Sequence, residues 1–330
     1  MITAVNRLRW HFGGLQSTGP VYRGDDPVRV NAASLIDLHR AAQGLPLKVG
    51  MISARQSGNY LSPFKGRGME FDEVRPYQPG DDIRTLDWRV TARSGKPHTK
   101  LFREERERSV LMWVDFRAPM FFATRGAFKS VLAARAAALL AWSAAHHGDR
   151  LGGLIFSEQQ HLELRPQRGR RAVLHLISRL VNHSAWTRPD GYAAIQGEKG
   201  REAIVRLRRV TRPGSLVFLL SDFRGIDAQA ESHLGQIARH NDVVLVFIHD
   251  PLESDLPPAG IYKVSDGARE VVLNTFGQET RNRYQHSFRQ RYDHMRGFCQ
   301  RHGIYFLSCS TTQDPVDALK SGLGLKSGHG

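Results

Sequence analysis

The pattern of hydrophobic positions changes near residue 109. Beyond this point, short continuous apolar runs alternate with longer segments whose apolar residues recur at helical spacing. Two of the runs, 110–116 (VLMWVDF) and 215–220 (SLVFLL), are typical of strands that are buried on both faces. Alternation of such strands with helices predicts an α/β fold with a doubly wound, mainly parallel sheet.

The same pattern predicts further strands at 150–156, 161–164, 243–248 and 304–307. It predicts helices at 127–147, 170–182, 202–209, 228–240, 278–302 and 315–320. The segment 261–273, centred on Asp266-Gly267, predicts a β-hairpin. Doubly wound sheets bind ligands beyond the carboxyl ends of their strands. Asp115 and Asp222 both fall at such ends, so they mark the expected site.

The first third of the chain has a different texture. Residues 1–33 contain turn signals and little periodicity, and Ser34 is placed to cap a short helix that ends at Ala42. Residues 58–108 combine glycines with dense charge of both signs, with an edge strand expected at 69–77. We therefore divide the chain into four segments. They are an irregular arm with a short helix (1–57), a small subdomain (58–109), an α/β domain (110–320) and a flexible tail (321–330).

The composition adds a strong positive charge. Lys and Arg total 47 against 32 Asp and Glu, which gives a net charge of +15, and 38 of the basic residues are arginine. Such a charge is compatible with nucleic acid, an anionic membrane or an acidic protein as partner. Two cysteines are too few for a disulfide framework or a zinc site.

The start of the chain has no apolar segment typical of a secretory signal, since Arg7, Arg9 and His11 interrupt it. The most apolar stretch, 127–145, is interrupted by Lys129 and Arg135, so no membrane span is expected. We expect a soluble, cytoplasmic protein.

The most specific motif lies between residues 66 and 106. It contains GRGMEF (66–71), RPY (75–77) and PGDDIRTLDW (79–88), followed by TAR (91–93), KLF (100–102) and EER (104–106). This block resembles the signature of the domain-of-unknown-function 58 family, whose members combine it with a von Willebrand factor A-like domain. The resemblance implies a sheet of von Willebrand factor A type, a partnership with MoxR-type AAA+ ATPases, and a role in assembling or activating client complexes. It implies no established enzymatic activity.

The residues that carry this signature are Gly66, Gly68, Glu70, Phe71, Arg75, Tyr77, Gly80, Asp81, Asp82, Arg84, Asp87, Trp88 and Arg93. We expect them to serve structure or interaction. In this interpretation, Asp82 caps a helix that runs through Arg93, Asp87 pairs with Arg84 or Arg93, Glu70 pairs with Arg75, and Trp88 anchors a core. The alternative is a hydrolase that uses Asp81, Asp82 and Asp87 as general acid and base.

Domains of the von Willebrand factor A type commonly bind Mg²⁺ through an Asp-x-Ser-x-Ser element, a later Thr and a later Asp. Here the first element reads Asp115-Phe116-Arg117-Ala118-Pro119, and the later Asp matches Asp222. For the Thr, only Ser184 and Thr187 are nearby, as weak substitutes. We therefore expect no metal and no cofactor, although Mg²⁺ remains the alternative. Our hypothesis is that Arg117 bridges Asp115 and Asp222; otherwise it points to solvent.

Arginines cluster in three places, and these are Arg165, Arg168, Arg170 and Arg171; then Arg206, Arg208, Arg209 and Arg212; then Arg281, Arg283, Arg289, Arg291, Arg296 and Arg301. Aromatic residues are interleaved only in the last cluster, at a spacing that favours a core-facing stripe. Together with the family resemblance, which implies the partner, the sequence favours a non-enzymatic interaction scaffold that docks a MoxR-type ATPase or its client. The alternative is an electrostatic binder of nucleic acid or anionic surfaces.

Overall fold

The computed structural model describes residues 26–45, 47, 69–79, 81, 83–104, 108–187, 197–254, 260–265, 270–274 and 276–323. The chain divides into two compact units. The α/β unit comprises residues 1–50 and 108–330, and the signature unit comprises residues 51–107. Four residues of the predicted signature, Gly66, Gly68, Gly80 and Asp82, lie outside the described ranges. So do residues 324–330 of the predicted tail.

Ten strands are described along the chain: β1 Met69–Pro76, β2 His98–Glu104, β3 Ser109–Asp115, β4 Arg150–Phe156, β5 His161–Arg168, β6 Leu216–Ser221, β7 Asp242–His249, β8 Ile261–Ser265, β9 Glu270–Asn274 and β10 Tyr305–Ser310. The described α-helices are α1 Ala32–Asp37, α2 His39–Ala42, α3 Trp88–Ser94, α4 Lys129–His146, α5 Gly169–Val181, α6 Gly197–Val210, α7 Ala228–Ala238, α8 Pro251–Ser254, α9 Gln278–His302 and α10 Pro315–Gly322. None of the described helices has both the length and the hydropathy to cross a membrane.

The α/β unit is organised around a six-stranded sheet with the order β10-β7-β6-β3-β4-β5. All neighbouring strands are parallel except β5, which pairs antiparallel with β4 at the edge. The prediction of a mixed α/β fold with a mainly parallel sheet is therefore confirmed. The predicted third strand, 161–164, is shorter than β5, which continues to Arg168. The expected hairpin is formed by β8 and β9.

Helices cover both faces of this sheet because its strands are apolar on both sides. Alternate residues of β3 show this directly: Met112 packs in the core that includes α4 and α5, whereas Trp113 packs in the core that includes α6, α7 and α9. The middle strands β3, β6 and β7 are buried along nearly their whole length. Polar residues at the strand ends are thereby held in fixed positions.

The N-terminal segment 26–47, which the sequence assigns to a separate arm, packs on the α/β unit. Leu35 and Leu45 are buried, and their carbonyl oxygens accept hydrogen bonds from the side chains of Trp142 (3.1 Å) and Ser143 (2.6 Å) in α4. The helix begins after Asn31, whose side chain accepts from the Ser34 N–H, so Asn31 and not Ser34 is the cap. Burial of these leucines gives the segment a place in the main core.

The signature unit is built on the antiparallel pair β1–β2. Helix α3 begins at Trp88, where the Asp87 carboxylate accepts hydrogen bonds from the N–H groups of Arg89 and Val90. The predicted helix capped by Asp82 is therefore wrong: a 3-10 turn, Ile83–Thr85, precedes the helix, and Asp87 is its cap. Trp88 is 69% exposed, so it does not anchor a core as predicted.

Candidate functional site

The candidate site lies where the chain connections of the large sheet change direction. Strands β3 and β6 are neighbours, and the chain continues from β3 to β4 on one side and from β6 to β7 on the other. Asp115 is the last residue of β3, and Asp222 follows directly after β6. Both carboxylates are fully buried. Such a switch point is where doubly wound sheets hold their ligands.

Asp115 is paired with Arg117, two residues further along the chain. The Arg117 Nε donates to both carboxylate oxygens (3.0 and 3.1 Å), and its second guanidinium nitrogen donates to Oδ2 at 2.6 Å. The Ser221 hydroxyl adds a third donor, at 2.6 Å from Oδ2. The guanidinium also lies 5.6 Å from the centre of the Phe156 ring. Burial acts to lower the pKa of Arg117, but Asp115, together with Asp222 and Glu158, raises it by more, so the net shift is upward.

Asp222 is paired with a different cation, Lys129, the first residue of α4. The Lys129 Nζ donates to Asp222 at 2.7 Å and to Glu253 at 2.8 Å, and all three side chains are buried. Arg224 donates to the same Glu253 oxygen at 2.7 Å. A cation at a helix N-terminus opposes the helix dipole, and α4 has neither a capping side chain nor an acid in its first turn. The two carboxylates therefore supply the compensation that Lys129 needs.

The predicted bridge by Arg117 is corrected by this arrangement. Its guanidinium hydrogen bonds to Asp115, while Asp222 takes Lys129 and the Arg224 backbone N–H (3.1 Å). Arg117 is nonetheless buried and paired, which excludes the solvent-facing alternative. Each strand-end carboxylate thus has its own cation, because both face a buried environment in which an uncompensated charge is costly.

The residues present do not fit a divalent cation of the expected type. Two carboxylates that would bind Mg²⁺ already accept hydrogen bonds from Arg117 and Lys129 at 2.6–2.7 Å. Pro119, buried in the 3-10 turn Ala118–Met120, offers no side-chain oxygen. Ser184 donates to Gln160 instead of a ligand position. Since Mg²⁺ needs oxygen ligands and repels adjacent cations, the donor set disagrees with this metal.

A left-handed turn carries Arg224 to the edge of the site. Phe223 has a φ of +54°, a conformation that costs energy for a residue with a Cβ, and Gly225 follows at +67°. Stacking of the Phe223 ring with Trp113 (6.4 Å) and Phe247 (6.1 Å) holds the turn. Arg224 is the member of the ion-pair network that reaches solvent, with 32% of its side chain exposed. Backbone strain of this kind is often found at functional sites.

The acid sensitivity of the site follows from Asp222. Burial acts to raise the pKa of Asp222, but Lys129 and Arg224 lower it by more than burial raises it. The result is a pKa of about 2 against an ordinary 3.8. A depressed pKa stabilises the fold above pH 3.8, and this contribution disappears as the pH falls towards 2. We expect a loss of about 2 kcal/mol between these pH values from this residue. Urea unfolding of the wild type and Asp222→Asn across this range measures it: equal pH slopes would contradict the prediction.

Gly200 in the first turns of α6 provides room for Arg117. A Cβ at this position would lie 2.9 Å from a terminal guanidinium nitrogen and 3.2 Å from Ile226. Alanine ordinarily favours a helix over glycine by about 1 kcal/mol. We expect Gly200→Ala instead to destabilise the protein. It should lower the free energy of unfolding by about 1 kcal/mol or more, because Asp115 prevents Arg117 from moving aside.

Gly297→Ala in α9 is the matched control for this prediction. Its added Cβ would approach only Arg301, at 3.4 Å. We expect this variant to stabilise the protein by up to about 1 kcal/mol. Denaturant unfolding compares the two variants directly. Stabilisation by both would mean that Arg117 is not fixed in place.

In the signature unit, Arg75 pairs with Asp81 at 2.7 Å. The predicted pair of Glu70 with Arg75 stays a prediction, because the Glu70 side chain lies outside the described part of the structure. The Gln78 N–H (2.9 Å) and Arg75 lower the pKa of Asp81. Asp87 is a helix cap, and Asp82 lies outside the described residues. Two of the three aspartates proposed for hydrolysis therefore have structural partners.

The remaining signature residues carry less information. Tyr77 is half-buried and its N–H donates to Pro97 at 2.8 Å, whereas Arg93 is exposed. For Glu70, Phe71 and Arg84 only the backbone is described: the first two lie in β1 and the third in a 3-10 turn.

Several residues of the site were not predicted. Lys129, Glu253, Arg224 and Ser221 are not among the predicted site residues, although Lys129 is, with Arg135, one of two Lys or Arg side chains in an otherwise apolar helix. That exception is a usable signal: a buried lysine requires a carboxylate partner. Glu253 has no comparable signal, because it lies in the short helix α8 and meets Lys129 only through the fold.

Known proteins resemble this chain in the region of the site. A family model described as "Protein of unknown function DUF58" matches residues 73–294. The uncharacterized proteins Rv1480 of Mycobacterium tuberculosis and Mb1516 of Mycobacterium bovis are each 34% identical over 215 residues, which cover 65% of this chain. The match spans 66% of the length of those relatives.

Among solved structures, a conserved hypothetical protein BatB from Bacteroides thetaiotaomicron aligns with 59% of this chain and 98% of its own. The TM-score is 0.34 and the sequence identity 13%, which is too low to assign a type of sheet. The family match covers both the signature unit from residue 73 and the two strand ends that hold Asp115 and Asp222. The chain therefore belongs to the family of proteins of unknown function DUF58.

Proposed function

We propose that this protein is a non-enzymatic interaction scaffold of the cytoplasm, with a von Willebrand factor A-like domain whose metal site has been replaced by internal ion pairs. Its strand-end face docks a MoxR-type AAA+ ATPase or the client of that ATPase. The role that follows is the assembly or activation of client protein complexes.

The order of strands supports the domain assignment. Counted within the large sheet alone, its six strands lie in the order 3-2-1-4-5-6, and the third is the antiparallel edge strand. The order 3-2-1-4-5-6 is that of doubly wound folds with a ligand crevice between the first and fourth strands. Asp115 and Asp222 border this crevice.

The observation that carries the proposal is that each strand-end carboxylate is paired with a buried cation. Arg117 and Lys129 neutralise Asp115 and Asp222 in the positions where a von Willebrand factor A domain uses an ion. Such pairs contribute little net stability compared with apolar residues, but the hydrogen bonds that Arg117 and Lys129 donate to Asp115 and Asp222 fix the positions of the two carboxylates. The face is then preorganised for a protein partner without a metal.

The same chemistry argues against catalysis at this site. A general base works best with a pKa near the operating pH, and Asp222 has a pKa of about 2. The Lys129 and Arg224 side chains both pair with the same Glu253 oxygen, so this oxygen is not free to accept a proton from a substrate. Asp115 accepts from Arg117 and Ser221. These carboxylates serve as anchors for cations and not as acids or bases.

Binding of the full chain to the purified MoxR-type ATPase from the same genome tests the proposal. Biolayer interferometry in EDTA without nucleotide, and again with Mg²⁺, should give equal affinities. Arg224→Glu at the mouth of the site should weaken binding at least tenfold. The control Arg208→Glu changes an exposed arginine in the last turn of α6 and should have no such effect. Absence of binding, or binding that depends on Mg²⁺ but not on Arg224, contradicts the proposal.

A second candidate function, nucleic-acid binding, is favoured by one observation. Arg150 and Arg168 lie directly opposite each other on β4 and β5, and Arg165, Arg170 and Arg171 are exposed beside them. Like charges in this position repel, and a phosphate backbone would neutralise them. Duplex DNA binding between 50 and 200 mM salt decides: a loss of affinity of several decades supports this candidate, and no binding at low salt removes it.

A further inference from the structure

Two large apolar side chains of the signature unit are exposed to solvent. Ile83 is 65% exposed and Trp88 is 69% exposed. Tryptophan has a large apolar surface and is highly buried on average, so its exposure requires an explanation. Phe276, in the α/β unit, has a similar exposure of 61% and no neighbouring exposed tryptophan in the sequence. It is a useful control.

The segment that carries these two side chains is fixed by backbone hydrogen bonds. The Leu86 N–H donates to the Ile83 carbonyl at 3.2 Å, and the Asp87 N–H donates to the His98 carbonyl of β2 at 2.8 Å. The Asp87 carboxylate then holds the first turn of α3, in which Trp88 is the first residue. A side chain on such a fixed turn loses little backbone freedom when it binds a partner.

The exposed charged side chains that follow Trp88 on α3 and directly after it are positive. Arg89, Arg93 and Lys96 are exposed on α3 and directly after it. The acid next to Trp88, Asp87, is engaged as the helix cap, and α3 has no acid in its first turn. The exposed side chains of this stretch of chain thus include a tryptophan, an aliphatic residue and arginines. We call the exposed residues Ile83, Trp88, Arg89 and Arg93 the Trp88 surface.

We infer that the Trp88 surface binds a segment of a partner protein in which acidic residues flank a large apolar side chain. Tryptophan and arginine are the residues most enriched among the hot spots of protein interfaces. The cationic rim selects an acidic partner by charge complementarity. Ile83 has no aromatic face on which a base could stack, so the pair Ile83 and Trp88 favours an apolar protein side chain over single-stranded nucleic acid.

A second copy of the chain is a poorer occupant. The chain has a net charge of +15, and two Trp88 surfaces facing each other would place Arg89 and Arg93 against their own counterparts. The inference concerns residues of the signature unit, whereas the strand-end site belongs to the α/β unit. Arg208→Glu, at an exposed arginine of α6, should leave binding at the Trp88 surface unchanged.

Fluorescence anisotropy with the full chain tests this inference with three labelled peptides of equal length. The first alternates Asp and Glu with Leu and Phe; the second has Lys in place of the acids; the third has Ser in place of the apolar residues. We expect the first peptide to bind most tightly. Trp88→Ala should raise its Kd about thirtyfold, as for a hot-spot residue. Arg89→Glu with Arg93→Glu should also weaken it, and Phe276→Ala should not.

Five outcomes would overturn the inference. The first outcome is that the first peptide does not bind. The second is that the Ser-substituted peptide binds equally well, which would indicate that charge alone drives binding. The third is that an oligo-dT strand binds more tightly than the first peptide and that its binding depends on Trp88. The fourth is that sedimentation shows a dimer that Trp88→Ala dissociates. Finally, Trp88→Ala lowers the free energy of unfolding as much as a core substitution, which would mean that the side chain is covered within this chain.

Discussion

Replacing Lys129 with methionine should lower the free energy of unfolding by about 3–5 kcal/mol. Methionine matches the unbranched four-atom stem of the lysine side chain but lacks its charged ammonium group. The variant would leave Asp222 and Glu253, which accept from Lys129 at 2.7 and 2.8 Å, buried with only Arg224 as a cation. Chemical denaturation at neutral pH measures the loss, provided that the slope with denaturant is unchanged.

A triple variant separates this electrostatic cause from a packing effect. Lys129→Met combined with Asp222→Asn and Glu253→Gln removes the uncompensated charges and keeps the side-chain sizes. We expect it to recover a large part of the stability lost in Lys129→Met, because replacing a whole buried ion-pair network is far less costly than removing one member. If the triple variant is less stable than the single one, the network is not the source of the loss.

Replacing Asp115 with alanine should have an effect of similar size, about 3–5 kcal/mol. Removal of Asp115 would take away the carboxylate that accepts hydrogen bonds from two guanidinium nitrogens of Arg117, a side chain that is only 1% exposed. The Ser221 hydroxyl would lose its acceptor as well. The expected result is a lower denaturation midpoint, and recovery when Arg117→Met is added to Asp115→Ala.

Asp81→Ala is the surface control for both predictions. Its pair with Arg75 has the same short distance, 2.7 Å, but both side chains are partly exposed, at 21% and 31%. Exposed ion pairs contribute little to stability, because solvent screens the two charges. A loss at Asp81 as large as that at Asp115 would show that burial does not distinguish these pairs.

The fold of the α/β unit could be predicted because its strands are apolar on both faces. The segments 110–116 and 215–220 are buried strands in the structure within one residue of the predicted bounds. The orientation of β5 was not predicted, although the sequence contains a signal for it. The predicted strands 150–156 and 161–164 are only four residues apart, which is too short for a parallel crossover and leaves the antiparallel pairing that the structure has.

The candidate site could be predicted in part. Arg117 lies two residues after Asp115, so their pairing needs only a local turn, and the sequence indicates it. The contacts of Lys129 join residues 93 and 124 positions apart, which no local pattern can show. Trp88 was misassigned because a large aromatic residue favours a core by composition alone. Its exposure depends on the Asp87 cap, which places it at the start of α3.

The central claim is that internal cations replace a divalent ion at the strand-end site. Calorimetric titration of the full chain, first treated with EDTA, with MgCl₂ and with MnCl₂ tests it most directly. The account predicts no saturable binding in the micromolar range, since Arg117 and Lys129 already hold Asp115 and Asp222. One-to-one micromolar binding that disappears in Asp222→Asn would contradict it.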